Sequence, residues 1–398
     1  MLNRMTQGSR IRLAFGTSAF SFLACAIGGC GGGERVPYYQ PPPPQDGEDE
    51  LDAGAVDDSI LGGIDHQTVL EWATPDEPAK IAAGERHTCA IRRDGAIDCW
   101  GDNDYGQLDA PDAHDFVQVS LGDLHSCGLH QDGTLSCWGA GSDDALTGSG
   151  VHLGQAVVPK QVKFKEVGAG AVHTCAVTVD DTLMCWGAGA PGTPSDVKPH
   201  FRQSIPPRGY FRGVTAGGAH SCAIDMGDDK VVCWGAGADD VQCDAFDYRC
   251  GQSSPPDIPF ARLAGGLFHS CGLTLDGHGR CWGAGTTDDD CDPLSELVRG
   301  GRAPIDCGQS IAPAGVYLWV SASWDRTCMI DEHYHVVCFG WETSGMAAPP
   351  KDEFHQVAVG KAHACGIRRD GTLTCWGEVP GMPPADFPGK APDPPEQP

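Results

Sequence analysis

Seven stretches of this chain repeat one order of apolar and polar positions. A short apolar run leads to a His, then x-Cys, a polar turn, a second Cys and Trp-Gly. The copies read HTCAIRRDGAIDCWG from His87, HSCGLHQDGTLSCWG from His125, HTCAVTVDDTLMCWG from His173 and HSCAIDMGDDKVVCWG from His220. They continue with HSCGLTLDGHGRCWG from His269, RTCMIDEHYHVVCFG from Arg326 and HACGIRRDGTLTCWG from His363. Alternation with period two predicts strands, and no helical period persists beyond a turn or two. Each copy is expected to hold an approach strand, as at 117–121, 214–216 and 357–359, followed by a hairpin. Units repeated at this spacing bury their apolar faces against their neighbours, which predicts a repeat architecture.

The hairpin can be registered residue by residue. Cys89 and Cys99 are symmetric about Asp94, so a three-residue turn, Arg93-Asp94-Gly95, closes it with Gly95 left-handed. Outward from the turn, Arg92 faces Ala96, Ile91 faces Ile97 and Ala90 faces Asp98. Cys89 and Cys99 then meet at a non-hydrogen-bonded pair, about 4.5 Å apart at Cα and within disulfide range. The same geometry holds around Asp132, Asp276 and Asp370. The expected bridges are Cys89–Cys99, Cys127–Cys137, Cys175–Cys185, Cys222–Cys233, Cys271–Cys281, Cys328–Cys338 and Cys365–Cys375. The fourth copy has one extra residue and needs an even-numbered loop; Asp181 and Tyr334 stand where Gly would be easiest. Alternation sends Trp100 to the face opposite Cys99, so both faces of the sheet must be covered.

The pattern His, then Asp-Gly, then Trp-Gly, followed once by Asn103-Asp104-Tyr105-Gly106-Gln107-Leu108, resembles the regulator of chromosome condensation repeat. Seven copies imply that family's all-β, seven-bladed propeller, here with one hairpin disulfide per blade. The Gly-Gln element recurs at Gly251-Gln252 and Gly308-Gln309. Paired Cys depart from the usual family pattern and suggest an extracytoplasmic branch. The sixth copy departs most, with Arg326 for His and Phe339 for Trp.

Twenty Cys do not suit a reducing compartment unless they bind metal. Beyond the seven pairs, Cys243–Cys250 and Cys291–Cys307 are expected to close connecting loops. Arg4, Arg10 and Arg12 precede an apolar run at 13–27 and then Gly28-Gly29-Cys30, the outline of a secretory signal over residues 1–29. Ile27-Gly28-Gly29-Cys30 also resembles the bacterial lipobox, which would make Cys30 a lipidated N-terminus on the cell envelope; plain cleavage near Gly29, with a periplasmic or secreted product, is the alternative. Residues 30–65 are rich in Gly, Pro and acid and are expected to form a disordered tether. The propeller is assigned to 66–380 and a loose Pro-rich tail to 381–398. Removing residues 1–29 takes away three Arg and no acid, moving the formal charge from −27 to −30. Such a charge repels phosphate backbones, which argues against nucleic-acid binding.

The His-x-Cys pairs do not converge as zinc requires, because each recurs once per blade around a ring. No Gly-x-Ser-x-Gly elbow, phosphate loop or paired catalytic carboxylate appears in a recognisable context, so an enzyme is not expected and no catalytic residue or cofactor is assigned. Asp288, Asp289, Asp290 and Asp292 crowd around Cys291, where calcium is the ligand to consider; a solvated acidic loop is the default.

Spacing carries the functional expectation. Successive intervals from His87 to His363 are 38, 48, 47, 49, 57 and 37 residues. The four long ones are consecutive, and each insertion follows Trp-Gly, at roughly 140–161, 188–210, 236–258 and 284–315. Equivalent connections emerge on one side of a propeller, so these are expected to form a binding face across blades 2–5. They carry His200, Phe201, Arg202, Tyr210, Phe246, Tyr248 and Arg249, residue types favoured at hot spots. The expectation is a monomeric, lipid-anchored propeller that binds a protein or other surface macromolecule. The resemblance adds two contrasts. The nuclear family member is a nucleotide exchange factor on chromatin, a role that an export signal and acidic charge oppose. Secreted bacterial propellers of similar repeat include a β-lactamase inhibitor, so enzyme inhibition is one alternative. A surface enzyme acting on polysaccharide from the central depression is the other.

Overall fold

A computed structural model of the protein describes residues 79–142, 152–191, 200–237, 250–286, 308–341, 348–378 and 381. All belong to one compact unit, Gly62–Pro398. The tether, the tail after Gly381, Cys30, Phe246, Tyr248, Arg249, Cys243, Cys291, Cys307 and Asp288–Asp292 lie outside the described residues. Within them, twenty-one strands form seven three-stranded antiparallel sheets, the blades, at 81–101, 116–139, 164–187, 211–235, 260–283, 317–340 and 354–377. In each, an inner, a middle and an outer strand follow one another in chain order. Blade 1 has Ile81–Ala83, His87–Ile91 and Ile97–Gly101; blade 6 has Tyr317–Ser323, Arg326–Asp331 and Val336–Gly340.

The hairpins have the register that alternation predicts. Cys89 lies opposite Cys99, Ala90 opposite Asp98 and Ile91 opposite Ile97, with Arg92 N–H donating to the Ala96 carbonyl. Seven disulfides form, one in each blade, with Cα atoms 4.0–4.1 Å apart. That number of bridges suits an oxidising or extracellular compartment. Gly95 turns at φ +85°, while Asp181 and Tyr334 adopt φ +64° and +66° at the cost a side chain there entails. The inner strands begin earlier than expected, as Phe116–Leu121, Phe211–Ala216 and Phe354–Val359. A buried aromatic opens each of the last six, and a bulge follows it in five of them at the same place.

Both faces of each blade are indeed buried, and they are unlike. The Cys face of one blade packs on the Phe and Trp face of the next. Cys89, Ile91 and Ile97 of blade 1 meet Phe116, Val119, Leu121 and Trp138 of blade 2. The last blade meets the first in the same way, with Ala358 and Cys365 against Ile81 and Trp100. Such heterologous faces close only as a ring, so the stack has no free face to aggregate.

Two circles of polar links reinforce the ring. Near the start of the inner strands each blade reaches its successor with different chemistry. The Lys80 ammonium donates to the Val117 carbonyl, Gln118 makes two bonds to the Val167 backbone, and Glu166 accepts from the Gly213 and Val214 amides. Arg212 donates to the Ala261 carbonyl, Arg262 lies over the Trp319 ring, Trp319 donates to the Val357 carbonyl, and Gln356 accepts from the Lys80 amide. The second circle is uniform. His87, His125, His173, His220, His269 and His363 each place Nε2 2.7–3.0 Å from the Ser or Thr hydroxyl that follows the repeat start of the next blade, which is a His in all but blade 6, where it is Arg326.

Candidate interaction faces

The repeated His is buried and belongs to this second circle. Ser126, Thr174, Ser221, Ser270 and Thr327 donate their hydroxyl protons to the carbonyls of Gln107, Gln155, Gln203, Gln252 and Gln309. Each hydroxyl oxygen must then accept from the His, which fixes Nε2–H as the protonated nitrogen and leaves Nδ1 bare. Burial holds the rings neutral, pushing the pKa down to about 3 at His87, His125, His173 and His220 and to about 4 at His269 and His363. The His ring also explains a glycine three residues before it. A Cβ on Gly84, Gly122, Gly170, Gly217, Gly266 or Gly360 would lie within 3 Å of its own blade's His ring, and in five of the six within 3 Å of the next blade's backbone carbonyl.

The same Gln residues organise the long connectors. Four of the five Gln carbonyls also accept from an indole N–H in the next blade, from Trp138, Trp186, Trp234 and Trp282 at 2.7–2.9 Å; blade 6 has Phe339 there. The Gln107, Gln155, Gln203 and Gln252 side chains accept from the amides two residues before them. The element therefore recurs five times: Gly154-Gln155 and Arg202-Gln203 join the three copies read from the sequence, and Arg202 stands where the others have Gly. The signal was position: a Gln stands seventeen or eighteen residues before each of five repeat starts. Every long connector leaves a fixed Trp-Gly and returns to a fixed Gln.

These contacts reassign four of the residues proposed for the binding face. His200 accepts from the Gly189 amide at Nδ1, as His152 does from Gly141, and so braces the connector. Phe201 is 7% exposed and packs on Ala219 and Ala236, so it is a core residue and not an exposed anchor. Arg202 takes φ +65°, the left-handed position that Gly fills in the sister elements. Tyr210 is 66% exposed but stands at the other end of the sheet: its neighbour Phe211 is bonded to Asp181 in the hairpin turn of blade 3. Cys250 is disulfide-bonded.

A channel of about 470 Å³ runs between the inner strands. Its mouth on the connector side is lined by Asp123, Ala171, Gly218, Leu267 and Trp324. Lys361 lies 2.7 Å from Glu85 and 3.8 Å from the Trp324 ring. Desolvation, aided by the charge of Glu85, pushes the carboxyl of the half-buried Asp123 up to about 7. The carboxylate of Glu85, beside this mouth, is tied to Lys361. Among the described residues, no group of three or more His, Cys, Asp or Glu is placed to hold a metal ion. Among them, too, no helix is long and apolar enough to cross a membrane.

The regulator of chromosome condensation (RCC1) repeat model matches residues 79–107, 116–144 and 354–378. The first, second and seventh repeats are therefore regulator of chromosome condensation repeats. No curated protein matches it. Among solved structures it is similar to the CRINKLY WD40 ectodomain of the Arabidopsis thaliana receptor kinase ACR4, with TM-score 0.54 and 22% identity over 76% of this chain and 96% of that one. It is also similar to the ectodomain of the Physcomitrella patens receptor kinase CR4, with TM-score 0.54 and 20% identity over 76% and 77%. Yeast RCC1 (Prp20), in a structure with Kap60, gives 0.50 and 17% over 77% and 81%. These likenesses show the propeller fold. The matched segments cover repeats 1, 2 and 7, while blade 6, with Ser323, Arg326 and Phe339, lies outside them.

Proposed function

We propose that this RCC1-repeat propeller is an extracytoplasmic binding protein, held to the cell envelope through Cys30, that engages a protein partner by the face bearing the connectors of blades 2–5. One observation carries the reading. Four consecutive connectors are enlarged between a Trp-Gly and a Gln whose carbonyl accepts from the Ser or Thr hydroxyl of the next blade in each case. A rigid scaffold with length variation confined to one face is how loop-borne recognition is built. The burial of Phe201 and the far position of Tyr210 shift the expected anchors to Phe246, Tyr248 and Arg249. Yeast RCC1, a protein of similar fold, has been solved with Kap60 bound, a precedent for a protein partner.

The reading is tested by replacing each long connector with the short 101–111 connection and cross-linking the exported protein on intact cells, followed by mass spectrometry. A partner captured by the parent protein and lost from the replacements supports the loop face; capture undiminished in all four overturns it. Cys30→Ser should move the protein from the membrane fraction to the soluble fraction, and unchanged membrane association overturns the anchor.

A further inference from the structure

The opposite end of the sheets has its own asymmetry. There each hairpin turn touches the start of the next blade: the Phe211 amide donates to Asp181, Phe260 to Asp229 and Tyr317 to Gly277. The residue that enters the turn is exposed in every blade. In blades 1, 2, 6 and 7 it is Arg93, Gln131, Glu332 and Arg369. In three consecutive blades it is apolar: Val179 at 56% exposure, Met226 at 45% and Leu275 at 45%. Tyr210 joins them, because the Met226 amide donates to its carbonyl. Surface apolar residues scattered singly need no explanation, but four on one continuous arc of turns do.

The arc is bordered by carboxylates. Lys165, Arg212 and Lys230 pair with Asp181, Asp229 and Asp257. Asp180, Asp225 and Asp276 then give the border an excess of negative charge, and a hydrogen bond from Thr274 helps to keep Asp276 ionised by lowering its pKa. Beside Met226 a groove of about 410 Å³ opens, lined by Asp225, Asp228, Asp257, Lys230 and Pro255-Pro256. Three carboxylates against one ammonium make it a receptor for a cation.

We propose that the hairpin-turn arc of blades 3–5 docks a protein segment that carries an apolar side chain flanked by Lys or Arg. Charge complementarity selects this occupant. The chain's own acidic segment at 45–58 would be repelled, and so would a second copy with formal charge −27. The apolar anchor would cover Tyr210 and Met226, and the neighbouring base would enter the groove at Asp225 and Asp257. The proposal is independent of the connector face, which lies at the other end of the blades.

The test pans a random peptide display library on the full-length protein, then measures synthetic copies of the enriched peptides by fluorescence anisotropy. Enriched peptides should pair an aromatic or aliphatic residue with two or more Lys or Arg. Met226→Glu and Tyr210→Ala should each weaken binding about thirtyfold, the scale of a hot-spot loss. Gln131→Glu, the same charge change at the same turn position of blade 2, should change it less than about threefold. Thermal midpoints within a few degrees of the parent protein keep folding out of the result. Failure to enrich peptides, enrichment of acidic ones, or equal weakening by Gln131→Glu overturns the proposal. So does concentration-dependent dimerisation that Met226→Glu abolishes, which would make the occupant a second copy. Binding of these peptides should survive all four connector replacements, so either proposal can fail alone.

Discussion

Blade 6 and the other six blades have one backbone and two different interiors. In six blades a Gly three residues before the repeat start makes room for a buried His, and five of these rings reach a hydroxyl that in turn reaches a Gln carbonyl. In blade 6 the Gly is Ser323, the His is Arg326 and the Trp is Phe339, and the next blade offers Ala364 where a hydroxyl would stand. The four changes answer one another. A Cβ at the glycine site would strike a His ring, so Ser323 is compatible with this packing only when the ring is gone. A hydroxyl in blade 7 would lack its donor, so Ala364 loses nothing. Blade 6 keeps the disulfide, the strand register and the aromatic at the head of its inner strand. What every blade shares is thus the hairpin and its bridge; the His circle is a separate device that can be omitted at one junction if all its parts are omitted together.

The largest expected effect is on acid stability, where blade 6 opposes the rest. The six His have native pKa values of about 3–4, below the unfolded value near 6.5, so the native state binds fewer protons. Their contribution is fully present above pH 6.5 and is lost as pH falls toward 4. Asp325 of blade 6 and Asp123 are raised to about 7 by burial and act in the other direction, favouring the native state at low pH. At pH 5, six His protons taken up on unfolding less two Asp protons released leave about four, a slope of roughly 5 kcal/mol per pH unit. Urea midpoints between pH 4 and 7 check it, and Asp325→Asn should steepen the slope by about one proton.

Next in size is the glycine site. Gly122→Ala should cost about 3 kcal/mol, because both the His125 ring and the Gly170 carbonyl lie within 3 Å of the new carbon. Ser323→Gly, at the equivalent place in blade 6, should stay within about 1 kcal/mol of the parent by denaturant unfolding. A severe loss there would show that blade 6 depends on its own serine. The disulfide gives a smaller and more even effect. Replacing Cys175 and Cys185 by Ser, or Cys328 and Cys338, should cost about 2–3 kcal/mol in either blade, as expected for a short closed loop. Unequal costs would break the claim that the bridge is common to both kinds of blade. The smallest effects are at the hydroxyls. Ser221→Ala should cost about 1–2 kcal/mol by stranding the His173 Nε2–H, while the Gln203 carbonyl keeps the Trp234 indole. Arg326→His alone should destabilise; adding Ser323→Gly and Ala364→Ser should recover about 1 kcal/mol or more, a coupling that double-mutant cycles read directly.

Residues near one another in the chain announced the blade. Two Cys centred on Asp-Gly, with alternation on either side, determine which side chains face each other across a hairpin, because antiparallel register follows from turn length alone. The seven bridges and the left-handed Gly95 were therefore legible, as was the need to cover both faces. The ring's closure was not. Blade 1 meets blade 7 through contacts such as Lys80 with Gln356 and Thr88 with His363, more than 270 residues apart, and no local pattern encodes that pairing. The role of each loop residue was also decided in three dimensions. Phe201 and Tyr210 are both aromatics in one insertion, yet one fills a gap over Ala219 and Ala236 and the other stands exposed at the opposite end of the sheet. A connector that begins at one end of a blade and finishes at the other carries its residues past several environments, and only the folded path tells which environment each one meets. Alternation along a strand determines which face a residue takes; what lies across that face is set by the neighbouring blade, which comes from another part of the chain.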